Sequence, residues 1–144
     1  MLEQQKQYFS LEEANEMIPR LEKAFARILQ MRGQIQRIHD RLEQAGVVEE
    51  EPEPEGLGQE QELPPPLMGQ RATMHGLIEA VEEEIAQLHE NGCLVKGLDP
   101  ALVDWYAKRE EEDIFLCWKL GEQEVKWWHG IRAGFKGRRP VSEL

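Results

Sequence analysis

The chain has 144 residues, 28 acidic against 17 basic side chains, and a net charge of −11. That length is one domain's worth, and the acidic balance argues against nucleic acid as the main partner. No apolar run reaches the ~18 residues of a membrane helix, no signal peptide opens the chain, and two cysteines make no disulfide framework, so the expected setting is a reducing cytoplasm without a membrane partner.

The first predicted element is a helix over residues 10–45. Ser10 and Glu13 have the spacing of a capping box, in which each side chain accepts the other residue's backbone N–H. Apolar residues then recur at heptad spacing through Ala14, Met17, Leu21, Ala24, Ile28, Met31, Ile35, Ile38 and Leu42. Pro19 is expected to kink the helix, because it removes one hydrogen bond and crowds the preceding turn. Residues 46–68 are acidic and rich in Pro and Gly, too poor in apolar surface to order themselves, and read as a linker. A second helix is expected over 69–91, with Met74, Ile78, Val81, Ile85 and Leu88 as its seam and Asn91-Gly92 as its stop signal.

Two such helices joined by one linker predict an antiparallel, coiled-coil-like hairpin. Paired from the linker end, the shorter helix leaves the start of the longer one free. Leu11, Met17, Ile18, Leu21 and Phe25 are then expected to cover the apolar face of the tryptophan-rich segment near the C-terminus. Ile18, Phe25 and Leu29 lie beside the seam, and a homodimeric four-helix bundle would bury them.

Residues 94–101 read as a connector. Residues 102–129 carry all four tryptophans and read as a three-stranded antiparallel meander. A two-residue turn at Glu110-Glu111 sets Arg109 opposite Glu112, Lys108 opposite Asp113, Trp105 opposite Leu116 and Asp104 opposite Cys117. A second turn at Gly121-Glu122 sets Leu116 opposite Trp127, Phe115 opposite Trp128 and Ile114 opposite His129. This register gives a core face of Val103, Trp105, Ala107, Ile114, Leu116, Trp118, Val125, Trp127 and His129. Its other face carries Asp104, Tyr106, Phe115, Cys117 and Trp128. A helix over 122–129 is the alternative for the third strand. Residues 130–144 form a basic, Gly-rich tail.

Several residues invite chemistry. The row Tyr106, Phe115 and Trp128 reads as a binding face for a partner, or as a surface covered by the tail with Phe135 as plug. Arg132, Arg138 and Arg139 can grip a phosphate or carboxylate, or pin the tail by ion pairs to Asp104 or Glu122. His129, Glu122, Asp104 and Cys117 are metal-ligand types suited to iron or zinc. In this register Glu122 and His129 are too far apart to share an ion. Cys117 reads first as a small buried apolar residue, since no histidine falls beside it. His39 and His75, each with a glutamate four residues on, can face each other across the hairpin.

The pieces YFSLEEANEMIPRLE, GLDPALVDWYAKR, IFLCWKLGEQEVKWWH and AGFKGRRPV resemble, in that order, the bacterial family called domain of unknown function 2203. Glu110-Glu111 stands where that family usually has an Asp-Gly turn, and Gln123 where it often has Pro. The resemblance implies a small cytoplasmic bacterial protein and no particular activity. The matching residues least suited to packing are Asp104, Cys117, Glu122, His129 and Arg138.

The sequence therefore predicts a single α+β domain, a helical hairpin with a small antiparallel meander. The leading functional reading is a non-enzymatic interaction or small-anion-binding module, self-associating or binding an unidentified protein. The alternative is an iron- or zinc-binding protein, extending to a metal-dependent enzyme, with His129 as a ligand.

Overall fold

The computed structural model describes residues 6–47 and 63–144. The architecture is α+β, a helical hairpin and one five-stranded antiparallel sheet. The helices are α1 (Leu11–Gln44) and α2 (Pro65–Glu90). The strands are β1 (Leu94–Leu98), β2 (Ala101–Arg109), β3 (Glu112–Lys119), β4 (Trp127–Gly130) and β5 (Arg139–Pro140), in that order across the sheet. The chain divides into two compact units, Met1–Arg27 with Glu84–Leu144, and Ile28–Glu83.

The helix ends follow local chemistry. Glu13 N–H donates to Ser10 Oγ at 3.1 Å, and Ser10 N–H to Glu13 Oε1 at 2.9 Å, which closes the capping box. α1 runs through Pro19 as one helix. α2 begins at Pro65, four residues earlier than expected and inside the segment read as linker. Proline at a helix start loses no hydrogen bond and has its φ preset, so the Pro64-Pro65-Pro66 run opens the helix. The rest of that segment, from residue 48 to 62, lies outside the described residues. Past the last residue of α2, Gly92 (φ 83°) turns the chain and Cys93 N–H donates to Leu88 O at 2.9 Å. A side chain at Gly92 would collide with the Phe9 ring.

In the Ile28–Glu83 unit, Ile38 and Leu42 of α1 pack with Met74 of α2, flanked by Val47 and Leu63. Partly buried Ile35, Leu67, Leu77 and Ile78 widen this seam.

In the other unit, the first half of α1 covers one face of the sheet. Ile18, Leu21 and Phe25 are buried there, with the Phe25 ring 6.3 Å from that of Trp118. Trp105 and Trp118 are wholly buried. Burial of each aliphatic or phenyl side chain in this layer contributes roughly 1.5–3 kcal/mol over leaving it exposed. Ile18 and Phe25 are thus used within the chain, whereas Leu29, the third residue of the stripe expected at a dimer interface, is half-buried.

The β2–β3 register is as the sequence predicts, from Arg109 opposite Glu112 to Leu102 opposite Lys119. Glu110 and Glu111 make its two-residue turn with φ of 52° and 78°. The expected three-stranded meander is wider at both ends. Leu94–Leu98 of the connector pairs with β2, and Arg139–Pro140 of the tail pairs with β4.

The third predicted strand is corrected. Gly121-Glu122 does not make a two-residue hairpin. β4 starts only at Trp127, and Ile114 faces Gly130, Phe115 faces His129, and Leu116 faces Trp128. This is one residue off the predicted pairing. The intervening loop is held by other partners. Trp118 Nε1–H donates to Glu122 O at 2.8 Å, Lys119 N–H to Glu122 Oε1 at 2.6 Å, and Val125 N–H to Asn15 Oδ1 at 2.6 Å.

Candidate functional site

The one-residue shift exchanges the faces of β4, because side chains alternate along a strand. Trp128 moves to the helix-covered face beside Leu116, and His129 moves to the opposite face. There His129 joins Asp104 of β2 and Cys117 of β3, which pair directly across the sheet. Their nitrogen, oxygen and sulfur atoms lie within 4.8 Å of one another. All three residues are buried, at 2%, 4% and 1% exposure.

His129 Nε2 is 3.0 Å from Asp104 Oδ2, and His129 Nδ1 is 2.8 Å from Gly130 O. Burial works against a charged imidazole. The Asp104 carboxylate and the Gly130 carbonyl outweigh it and raise the His129 pKa. Burial, together with the neighbouring Asp104 carboxylate, pushes the Cys117 thiol up to about 12. A thiol so held is a poor nucleophile. Both nitrogens of the histidine are engaged, by Asp104 and by Gly130 O.

Glu122 is not in this trio. Arg138 Nη2–H donates to Glu122 Oε1 at 2.6 Å and to Oε2 at 2.9 Å. The Arg138 guanidinium lies between Trp127 and Phe135, 5.1 and 4.8 Å from the ring centroids. The tail is thus pinned to the 120–126 loop by one largely buried ion pair.

The aromatic row also changes membership. Tyr8, Tyr106, Phe115 and His129 succeed one another at centroid distances of 6.2, 4.6 and 5.5 Å. Trp128 is not part of it. Phe115 is only 5% exposed, while Tyr106 is half-buried and Tyr8 exposed at the end of the row. Lysines rather than Phe135 cap it, with Lys6 over Tyr106, Lys96 over Phe115 and Lys108 over Tyr8.

On the other face, beyond the reach of α1, Trp128 meets the arginines. The guanidiniums of Arg109 and Arg139 stack on its ring at 4.9 and 5.3 Å. Its Nε1–H donates to Pro140 O at 3.1 Å. With Arg132 and Ile131 these residues line a shallow cleft of about 760 Å³. Glu112 and Asp113 lie on its wall. Asp113 is already engaged by Lys108 at 2.7 Å and Lys6 at 3.0 Å, and Arg139 by Glu143 at 3.0 Å. Arg109 and Arg132 make no ion pair or side-chain hydrogen bond among the described residues.

Sequence reasoning misses Arg109 as a site residue, because the strand register makes it a cross-strand partner of Glu112. Its place over Trp128 emerges only once β4 is shifted. His39 lies with Asp40 and Glu43, 3.8 and 3.9 Å away on the helix surface, and His75 is not in that group.

A helical hairpin and a five-stranded antiparallel sheet define an α+β protein whose sheet carries a buried Asp–Cys–His cluster. The chain belongs to the family described as "Uncharacterized conserved protein (DUF2203)", whose model matches residues 7–141. Neither the curated proteins nor the solved structures give a match. Within the described residues no helix is long and apolar enough to cross a membrane.

Proposed function

We propose that this protein binds a small anion, one bearing a phosphate or carboxylate group, in the cleft around Trp128. The observation that carries this reading is the pair of guanidiniums over one buried indole, with Arg132 lining the same cleft. Stacking fixes the plane of a guanidinium and leaves its N–H edge to donate. Planar N–H edges match the oxygens of phosphates and carboxylates in paired hydrogen bonds. Arg109 and Arg132 have no carboxylate partner among the described residues, so their donors are available without breaking an ion pair. The proposed role is binding, with no reaction assigned.

Titration calorimetry with inorganic pyrophosphate tests it. The wild type is expected to bind saturably at one site. Arg109→Ala and Arg132→Ala are each expected to weaken binding about tenfold, since a charge-assisted hydrogen bond contributes roughly 1.5–3 kcal/mol. Equal affinity in wild type and the double variant would overturn the proposal.

A further inference from the structure

The cluster on the opposite face supports a separate proposal. We infer that Asp104, Cys117 and His129 form a binding site for a divalent transition-metal ion of the zinc class.

The three side chains come from adjacent strands β2, β3 and β4 and project from one face of the sheet. Their ligand atoms already converge within 4.8 Å. In a tetrahedral zinc site the metal–sulfur and metal–nitrogen distances are about 2.3 and 2.0 Å, so neighbouring donor atoms sit about 3.3–3.8 Å apart. Contraction by about 1 Å brings the three donors to these separations. One sulfur, one nitrogen and one oxygen select a borderline ion such as zinc over magnesium or calcium, which favour all-oxygen sites. Three protein ligands leave a fourth position for water or another small ligand.

The orientation of His129 is a second, independent sign. A histidine that binds metal through one nitrogen ordinarily donates its other N–H to a backbone carbonyl or carboxylate. His129 Nδ1 has that partner in Gly130 O at 2.8 Å, which leaves Nε2, 3.0 Å from Asp104 Oδ2, as the nitrogen turned to the site. The positive groups nearby do not forbid a cation. Arg138 is neutralised by both oxygens of Glu122, and Lys96 lies over the Phe115 ring.

The charge balance is favourable. A divalent ion held by a thiolate, a carboxylate and a neutral imidazole makes a site of net charge zero, the thiol proton passing to solvent as the metal–sulfur bond forms. A buried site that stays neutral avoids the desolvation cost of an uncompensated charge.

The test uses cobalt(II), a visible surrogate for zinc, with the full-length protein. The protein is unfolded and refolded with one equivalent of the ion in the absence of oxygen, because the trio is closed to solvent. The expected result is one tightly held cobalt per chain and an intense thiolate-to-cobalt charge-transfer band. The chain has only Cys93 and Cys117 as sources of thiolate. Retention of the band in Cys93→Ser therefore identifies Cys117 as the sulfur without altering the site. Loss of the band in Cys117→Ser, with the metal weakened in His129→Gln, places the other ligands. Wild-type protein that refolds without taking up cobalt or zinc overturns the proposal. So does a band that survives Cys117→Ser or disappears in Cys93→Ser.

Discussion

Asp113 shows how single side chains tie the ends of this chain to its sheet. Its carboxylate accepts from Lys108 Nζ at 2.7 Å, Lys6 Nζ at 3.0 Å and Tyr8 Oη at 3.0 Å. Lys108, then Lys6, hold its pKa down from 3.8 to about 2. A carboxylate with a depressed folded pKa adds stability that is present above its unfolded value and is lost as pH falls through the folded one. Stability is therefore expected to drop between about pH 4 and pH 2, and Asp113→Asn to flatten that part of the profile. Denaturant unfolding at a series of pH values checks this. An unchanged slope in the variant would show that Asp113 does not carry the effect. The thiols give a second prediction at this scale. Cys93 and Cys117 are both buried, and burial raises both pKa values. In metal-free protein at neutral pH, an aromatic disulfide reagent is expected to label neither thiol until denaturant is added, and then both. Prompt labelling of one thiol in the native state would contradict the burial of Cys117 or Cys93.

Among the elements, the β2–β3 turn stores strain that can be removed. Glu110 and Glu111 both have positive φ, the type I′ geometry in which Asn-Gly is preferred. A left-handed backbone costs an ordinary residue roughly 1–2 kcal/mol. Replacing the pair by Asn-Gly should stabilise the protein by about 1–2 kcal/mol, read as a higher midpoint in urea without a change in slope. A lower midpoint would mean that the glutamate side chains matter more than the backbone. This turn is legible in the sequence because charge pairs and alternating tryptophans agree on one register. The next turn is not. Gly121 and Glu122 look like a hairpin turn when only the two flanking strands are considered. What decides the outcome is distant: Asn15 on α1 takes Val125 N–H, and Arg138 in the tail takes the Glu122 side chain. No local pattern shows either contact, so the predicted pairing misses by one residue. That residue separates His129 from Asp104 and Cys117 and puts Trp128 on the wrong face. The five polar residues least suited to packing are still readable as a set. The structure places Asp104, Cys117 and His129 in one buried trio and Glu122 with Arg138 beside it.

At the scale of the whole molecule, the helical hairpin and the sheet emerge from heptad spacing and alternation, because each depends on a repeated local pattern. The extra strands do not. β1 and β5 are short, and Arg139–Pro140 is held by contacts distant in sequence: Arg138 with Glu122, Trp128 Nε1–H with Pro140 O, and Val141 N–H with Lys126 O. The overall charge also bears on function. A chain of net charge −11 repels polyanions at long range, while salt at physiological strength screens that repulsion beyond about 8 Å. A compact anion that contacts Arg109 and Arg132 directly is thus compatible with the acidic whole. The most direct test of anion binding is a nitrogen-15 NMR titration with inorganic phosphate, monitoring the Trp128 indole N–H that donates to Pro140 O. Saturable shifts are predicted for that signal and for the backbone amides of Arg109, Arg132 and Arg139, abolished in Arg109→Ala/Arg132→Ala. A Trp128 signal that does not move, or that moves equally in the double variant, would contradict binding at this cleft.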